Sequence, residues 1–280
     1  MALSTQNFKF IQDFARDSAA IVLEPGKEYL VETRLGPIAR QGGFGSLDEF
    51  IDKLRADPKS VLFHEQVLDA LTTNETSFFR DFHPFEALRQ HVLPKLIEQR
   101  AGIKRLNIWS AASSTGQELY TIAMMIREHF PQLRDWNISI LGTDLSTLVL
   151  DQARQGVYSQ IEVNRGLPAA FLLKYFTKVD TKWAIKDDVK KLVEYRQMNL
   201  VKPWPIMPVF DIVFIRNVMI YFDVESKKGI LKRIRQCLQP QGYLFLGTAE
   251  TTMNIDPEWS PTVLGKATVY QAKSLLAKAA

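Results

Sequence analysis

The chain has 280 residues, 46% of them hydrophobic and 24% charged, which is the composition of an ordinary globular protein and a length that suits one larger domain with a small helical partner. Its net charge of +4 is weak: residues 1–80 hold nine Lys and Arg against twelve Asp and Glu, and no dense basic run interleaved with aromatics follows, which argues against nucleic acid as a partner. No apolar run approaches the roughly 18 residues of a membrane span, the first residues lack a basic-then-apolar leader pattern, and the single cysteine, Cys237, excludes an internal disulfide and points to a reducing cytoplasm.

Residues 1–72 read as a helical domain. Phe10, Ile11, Phe14 and Ala15 form an apolar stripe at helical spacing. Lys27 to Arg40 reads as a second helix, ended or kinked near Gly36-Pro37. Ser46-Leu-Asp-Glu49 has capping-box spacing, so Ser46 and Glu49 can satisfy each other's end-of-helix donors. Residues 60–72 suit a fourth helix with Val61, Val67, Leu68 and Leu71 inward.

From residue 73 to 280 the pattern alternates strand and helix. Strands are expected over 105–110, 138–144, 211–216 and 243–247, with helices over 117–130, 145–155 and 224–239 between them. This alternation predicts an α/β fold, a parallel sheet wrapped by helices. Three short pieces, around Tyr175-Phe-Thr177, Trp183-Ala-Ile185 and Val193-Glu-Tyr195, read as a small antiparallel insert over 174–199.

In an open parallel sheet ligands bind beyond the carboxyl ends of the strands, and four places there carry chemistry. Ser110-Ala-Ala-Ser-Ser-Thr-Gly116 is a run of small residues, Ala112 among them, leading into a helix with Glu118 in its first turn. It is neither a Gly-x-Gly-x-x-Gly loop nor a phosphate loop. Glu118 can face a cationic ligand group or simply complement the helix dipole. Asp144 ends the next strand, where an acid accepts from ribose hydroxyls or caps the following helix. Arg216 and Asn217 emerge from the apolar run Ile212 to Ile215, followed by Tyr221, which is either a cleft hydroxyl or a core aromatic. Thr72 to Asp81 is polar and lies at the junction of the two domains, as a site wall or a hinge. Together the small-residue loop and Asp144 suit an adenosyl ligand without phosphates, for which S-adenosylmethionine is the natural candidate.

Thr-Asn-Glu-Thr-Ser-Phe-Phe-Arg-Asp (73–81), Trp-Ser-Ala-Ala-Ser-Ser-Thr-Gly-Gln-Glu-Leu-Tyr (109–120), Gly-Thr-Asp (142–144) and Arg-Asn-Val-Met-Ile-Tyr-Phe (216–222) resemble, in the same order, the CheR family of chemotaxis receptor methyltransferases. The resemblance covers nearly the whole chain and implies a Rossmann-like methyltransferase sheet with an all-helical N-terminal domain and an antiparallel β insert. It also implies transfer of a methyl group from S-adenosylmethionine to receptor glutamates, leaving S-adenosylhomocysteine. Carried over residue by residue, it implies that Asn74, Thr76, Arg80, Ala112, Glu118, Asp144, Asn199, Leu200, Arg216, Asn217 and Val218 line the cofactor site. Many members have Cys or Ala where Ser113 stands, and Glu-Glu-Pro-Tyr where Gln117-Glu-Leu-Tyr120 stands. Glu118 and Tyr120 are kept, so the assignment survives.

A glutamate is ionised at neutral pH, its reference pKa being about 4.3, and the sulfonium-bound methyl is already activated. No general base is then required, and Arg80 and Tyr221 are the residues expected to orient the reacting groups. The expected partner is the cytoplasmic helical domain of methyl-accepting chemoreceptors, with no direct membrane insertion. Lys27 and Arg34, seven apart on one helix face, and Arg40 beyond them are the expected docking cations. The connection Val179-Asp-Thr-Lys182 lacks the glycine of members whose insert binds a C-terminal pentapeptide tether, so tether-independent recognition is expected. A methyltransferase of small molecules or RNA, a cofactor-sensing adaptor and a nicotinamide oxidoreductase are the competing readings. The absent basic groove, the intact Glu118, Asp144, Arg80 and Tyr221, and the absent glycine fingerprint disfavour them in turn.

Overall fold

A computed structural model describes residues 3–57 and 61–273 of the chain, with side chains omitted at 61 and 62. Four helices open it: α1 (Thr5–Ala19), α2 (Glu28–Gln41), α3 (Leu47–Ala56) and α4 (Val61–Leu71). Ile11, Ala15, Val31, Leu35, Phe50, Ile51, Leu54 and Val67 bury one face of each helix in a core of their own. Leu71 joins them, whereas Leu68 is only partly buried; the expected burial of Val61 falls outside the described side chains.

Two local expectations are narrowed or corrected here. Of the two alternatives at Gly36-Pro37, an end is ruled out, because helix α2 runs through Pro37 to Gln41. The carbonyl that Pro37 leaves without a helical donor belongs to exposed Thr33, which water can reach, while Val31, Leu35 and Ala39 bury the same face on both sides of the proline. At α3 only half of the capping box forms. The Ser46 hydroxyl accepts from the Glu49 amide at 3.1 Å, but the Glu49 carboxylate accepts from Gly45, one residue early, at 2.8 Å.

After the junction, α5 (His83–Ala87), a π-helical turn (Leu88–Val92) and α6 (Leu93–Arg100) lead into β1 (Arg105–Ala111). Then follow α7 (Gln117–His129), β2 (Asn137–Asp144), α8 (Thr147–Gln155), β3 (Val157–Ser159), α9 (Gln160–Asn164) and α10 (Ala169–Tyr175). Strands β4 (Phe176–Val179) and β5 (Lys182–Ile185), helix α11 (Asp187–Lys190), β6 (Val193–Gln197) and β7 (Phe210–Ile215) come next. A 3-10 turn (Met219–Tyr221), α12 (Val224–Cys237), β8 (Leu238–Leu246), β9 (Trp259–Leu264) and β10 (Ala267–Ala272) complete it.

The main sheet has the order β6-β2-β1-β7-β8-β10-β9, with the first five strands parallel and the last two antiparallel. β7 is buried along its whole length, as a central strand covered on both faces must be. Ile212 and Phe214 join the core under α7, while Val213 and Ile215 join the core under α12. Cys237 is buried as expected, and burial pushes its thiol up to about 11.

The insert differs from the expectation over 174–199. A second, three-stranded antiparallel sheet exists, in the order β3-β5-β4, so its third strand is Val157–Ser159. Val193–Gln197 instead pairs parallel with β2 and forms the edge of the main sheet. The closing hairpin β9–β10 was not anticipated. Its two-residue loop, Gly265-Lys266, has a positive φ of 62° at the glycine alone, which is the II′ turn pattern.

Candidate active site

The tips of β1, β2 and β7 open into a cleft that also meets the helical domain. It encloses about 1030 Å³ of atom-free space, open to solvent, and every residue expected to hold the cofactor lines it, as does Tyr221. Five further lining residues were missed: Ala19 and Ile21 at the end of α1 and Leu71 at the end of α4, together with Leu145 and Met198. Their apolar side chains carry no motif, and only the folded chain brings the end of α1 to the strand tips.

The loop after β1 is shaped by backbone conformation. Ala112, Ser114 and Gly116 have φ of 56°, 49° and 91°. A Cβ at Gly116 would lie 2.5 Å from the Tyr195 hydroxyl, so only glycine fits there. The curl directs the Ser114 amide at Asp144, whose Oδ2 accepts it at 2.8 Å, while Oδ1 accepts from the Ser146 amide at 3.0 Å. Ser146, not Asp144, is the N-cap of α8. A carboxylate offers about four acceptor sites, so two remain open to hydroxyl donors of a ligand. Burial raises the Asp144 pKa, against the lowering by these amides. A second acid, Asp69 near the end of α4, is also raised, first by burial and further by Asp144, while a hydrogen bond with Ser146 opposes this.

At the other end both oxygens of Glu118 are engaged. Ser110 donates to Oε1 at 2.8 Å and Arg216 Nη1 to Oε2 at 2.7 Å. Arg216 has a side chain only 2% exposed, and its Nη2 donates to the Arg80 carbonyl at 2.8 Å and to Asp81 at 2.7 Å. Its guanidinium also stands 5.5 Å above the Phe85 ring. This grip holds an unusual backbone: Phe79, Asp81 and Phe82 all have positive φ, between 49° and 66°. Asp81, the last residue of the polar junction segment, is tied to the site through Arg216, a partner its sequence position does not announce.

The junction supplies the remaining wall. The Ser114 hydroxyl donates to the Asn74 carbonyl at 2.8 Å. Arg80 donates through Nη1 to the Glu75 carbonyl at 2.8 Å and makes no other protein hydrogen bond among the described residues. The Tyr221 hydroxyl has no protein partner among them either. Asn199 donates to the Ser18 carbonyl at 2.7 Å and accepts from the Val201 amide at 3.0 Å, so it joins this wall of the cleft to α1. Val22 donates its amide to the Tyr221 carbonyl at 3.3 Å.

Of the expected docking cations, Arg34 is occupied within the chain, donating to the Leu71 and Thr72 carbonyls at 2.5 and 3.1 Å and to the Thr73 hydroxyl at 2.9 Å. Lys27 sits at the start of α2, partly buried, and Arg40 in its last turn, exposed.

The cleft fits an adenosyl methyl donor. It offers a buried acid for the ribose, small residues for close approach, and buried polar atoms without protein partners at the Ser113 hydroxyl and Arg216 Nε. Among the described residues no lysine lines it, and Arg80, whose guanidinium makes a single hydrogen bond, stands at the junction.

The sequence model described as the CheR methyltransferase SAM binding domain matches residues 74–268, and that of the CheR methyltransferase all-alpha domain matches residues 6–72. Chemotaxis protein methyltransferase 1 of Pseudomonas aeruginosa is 40% identical over 98% of this chain and 100% of its own length. A chemotaxis protein methyltransferase of Pseudomonas putida is 41% identical over 97% and 100%, and one of Vibrio parahaemolyticus 36% identical over 98% and 99%. With S-adenosylmethionine as the methyl donor that its cleft accommodates, the chain belongs to the CheR methyltransferase family.

Proposed function

We propose that this methyltransferase esterifies glutamate side chains of chemoreceptors. One observation carries the reading. Each described acid that lines the cleft is held in place by protein donors: Glu75 by Arg165, Glu118 by Ser110 and Arg216, Asp144 by two backbone amides. No histidine lines it. With no free base, the acceptor must arrive ionised, and a carboxylate does so at neutral pH. The curated relatives are named as chemotaxis methyltransferases, which supports a receptor as the source of that carboxylate.

S-adenosylmethionine supplies the methyl group on a sulfonium cation. The chain's own residues bind and align. Asp144 holds the ribose, Asn199 and Leu200 flank the adenine, and the Glu118–Arg216 pair meets the amino acid end. The unfilled donors of Arg80 meet the incoming carboxylate, and Tyr221 lies across the transfer path. Alignment alone can supply about 7–11 kcal/mol of barrier reduction.

The receptor's helical cytoplasmic domain would land on the N-terminal helices through Lys27 and Arg40. Arg34 serves there as the brace between α2 and the junction. The β4–β5 connection, Val179-Asp-Thr-Lys182, lacks the glycine of tether-binding members, which favours recognition without a pentapeptide tether.

Radiolabelled methyl transfer to receptor-containing membranes tests the reading. Base-labile label on the receptor is expected. Label on nucleic acid, base-stable label, or no label would contradict it.

A further inference from the structure

Glu250 lies four residues beyond β8, outside the cleft lining, and no part of the methyl-transfer reading uses it. Its carboxylate nevertheless accepts four backbone amides. Oε2 takes Gly247 at 2.7 Å and Asn217 at 2.8 Å; Oε1 takes Val218 at 3.0 Å and Ile220 at 3.2 Å. Three of these donors belong to the single segment that follows β7 and carries Asn217, Val218 and Tyr221 into the cleft.

That segment cannot hold its shape by ladder bonds. Asn217 is in the left-handed region at φ 57°, and Met219–Tyr221 is one 3-10 turn. Turned towards Glu250, its amides would otherwise need water or another acceptor. The approach is close enough to dictate a neighbour: a Cβ on Gly247 would lie 2.7 Å from Glu250 Oε2 and 2.8 Å from the Asn217 amide nitrogen. Glycine there is what lets the tips of β7 and β8 be tied by one side chain.

We propose that Glu250 is a positioning residue that sets the Asn217–Tyr221 wall, and through it the Tyr221 side chain at the transfer end. This rests on the methyl-transfer reading for Tyr221, but the wall itself is a cofactor wall too. The chemistry demands a glutamate. Glutamine has the same shape, yet whichever way its amide is turned, its NH2 faces one pair of N–H donors. Aspartate keeps the charge but is one methylene too short to reach both pairs. A role in bulk packing would survive Glu250→Gln, and a role in charge alone would survive Glu250→Asp.

The test uses the full-length protein. S-adenosylhomocysteine affinity is measured by calorimetry, and methyl transfer is expressed per S-adenosylhomocysteine-binding site so that unfolded chains do not count. Both Glu250→Gln and Glu250→Asp are expected to bind the product several-fold more weakly and to transfer about a hundredfold more slowly, the effect of roughly an ångström of misplacement. Adding Tyr221→Phe to Glu250→Gln is expected to cost little more, because both act at one place. Wild-type product affinity in Glu250→Gln, or losses that simply multiply in the double variant, would overturn the proposal. A wild-type chain that labels no receptor would sink the glutamate reading alone, and the product-affinity comparison would still decide for or against Glu250.

Discussion

The two ends of the cleft are built on opposite principles. At the sheet end the charged groups are held by protein partners before any ligand arrives: Asp144 by two amides, Glu118 by Ser110 and by buried Arg216. At the junction end Arg80 makes one hydrogen bond and Tyr221 none through its hydroxyl, among the described residues. The pre-wired end is suited to hold a cofactor in one pose, since its groups need no reorganisation. The open end holds donors that only an incoming acceptor can fill. Binding and transfer are thus separable by mutation, and the following experiments press on that separation.

The largest effect is expected at the sheet end, from Arg216→Met. It strands Glu118 and Asp81 together, and removing one partner of a buried pair costs about 3–5 kcal/mol, here nearer the lower figure because Asp81 is 35% exposed. Thermal melting should fall and S-adenosylhomocysteine binding should be lost in calorimetry. Unchanged melting would mean that the ion pair does not organise the site.

Asp144→Asn should come next, weakening cofactor binding about tenfold to a hundredfold, the worth of a hydrogen bond to a charged group, without lowering apo stability. The pH dependence has a definite sign. Burial raises the Asp144 pKa above its unfolded value of 3.8, so the folded chain holds the proton more tightly. Ionised Asp144 therefore opposes folding at pH above its folded pKa, and that penalty fades as pH falls through the folded value and is gone below 3.8. Relative to Asp144→Asn, the wild-type apo chain should gain stability over this window while its cofactor affinity drops. Parallel falls in both would contradict the assignment.

Tyr221→Phe and Arg80→Ala should act at the open end. Each should slow transfer about tenfold to a hundredfold, and Tyr221→Phe should leave product affinity near wild type. A folded variant with normal turnover removes that residue from the mechanism. The smallest effect belongs to Lys27→Glu, which should weaken receptor binding by about 0.2–1 kcal/mol, as a surface charge does, with no change in cofactor binding. Equal affinity for receptor would move the docking face elsewhere.

Much of this contrast was legible in the sequence at the sheet end. Apolar runs ending in small residues, in an acid and in Arg216-Asn217 betrayed β1, β2 and β7, and strand tips are where ligands sit in such sheets. The open end was harder to read. Asp81 and Glu250 are ordinary acids in the sequence; their importance lies in partners 135 and 33 residues away. Val193–Gln197 was misplaced for a related reason: a short half-buried run near other short strands gives no sign of which sheet it joins, and the pairing with β2 is decided by tertiary contact. The β9–β10 hairpin did carry a signal, Gly265-Lys266 between strand-like runs, that went unread.

A crystal structure with S-adenosylhomocysteine tests the division of labour most directly. The account predicts ribose hydroxyls on the free acceptor sites of Asp144, the amino acid end beside Glu118, and the sulfur turned towards Arg80 and Tyr221. A product bound in the reverse direction, or a sulfur facing away from Arg80 and Tyr221, would contradict it.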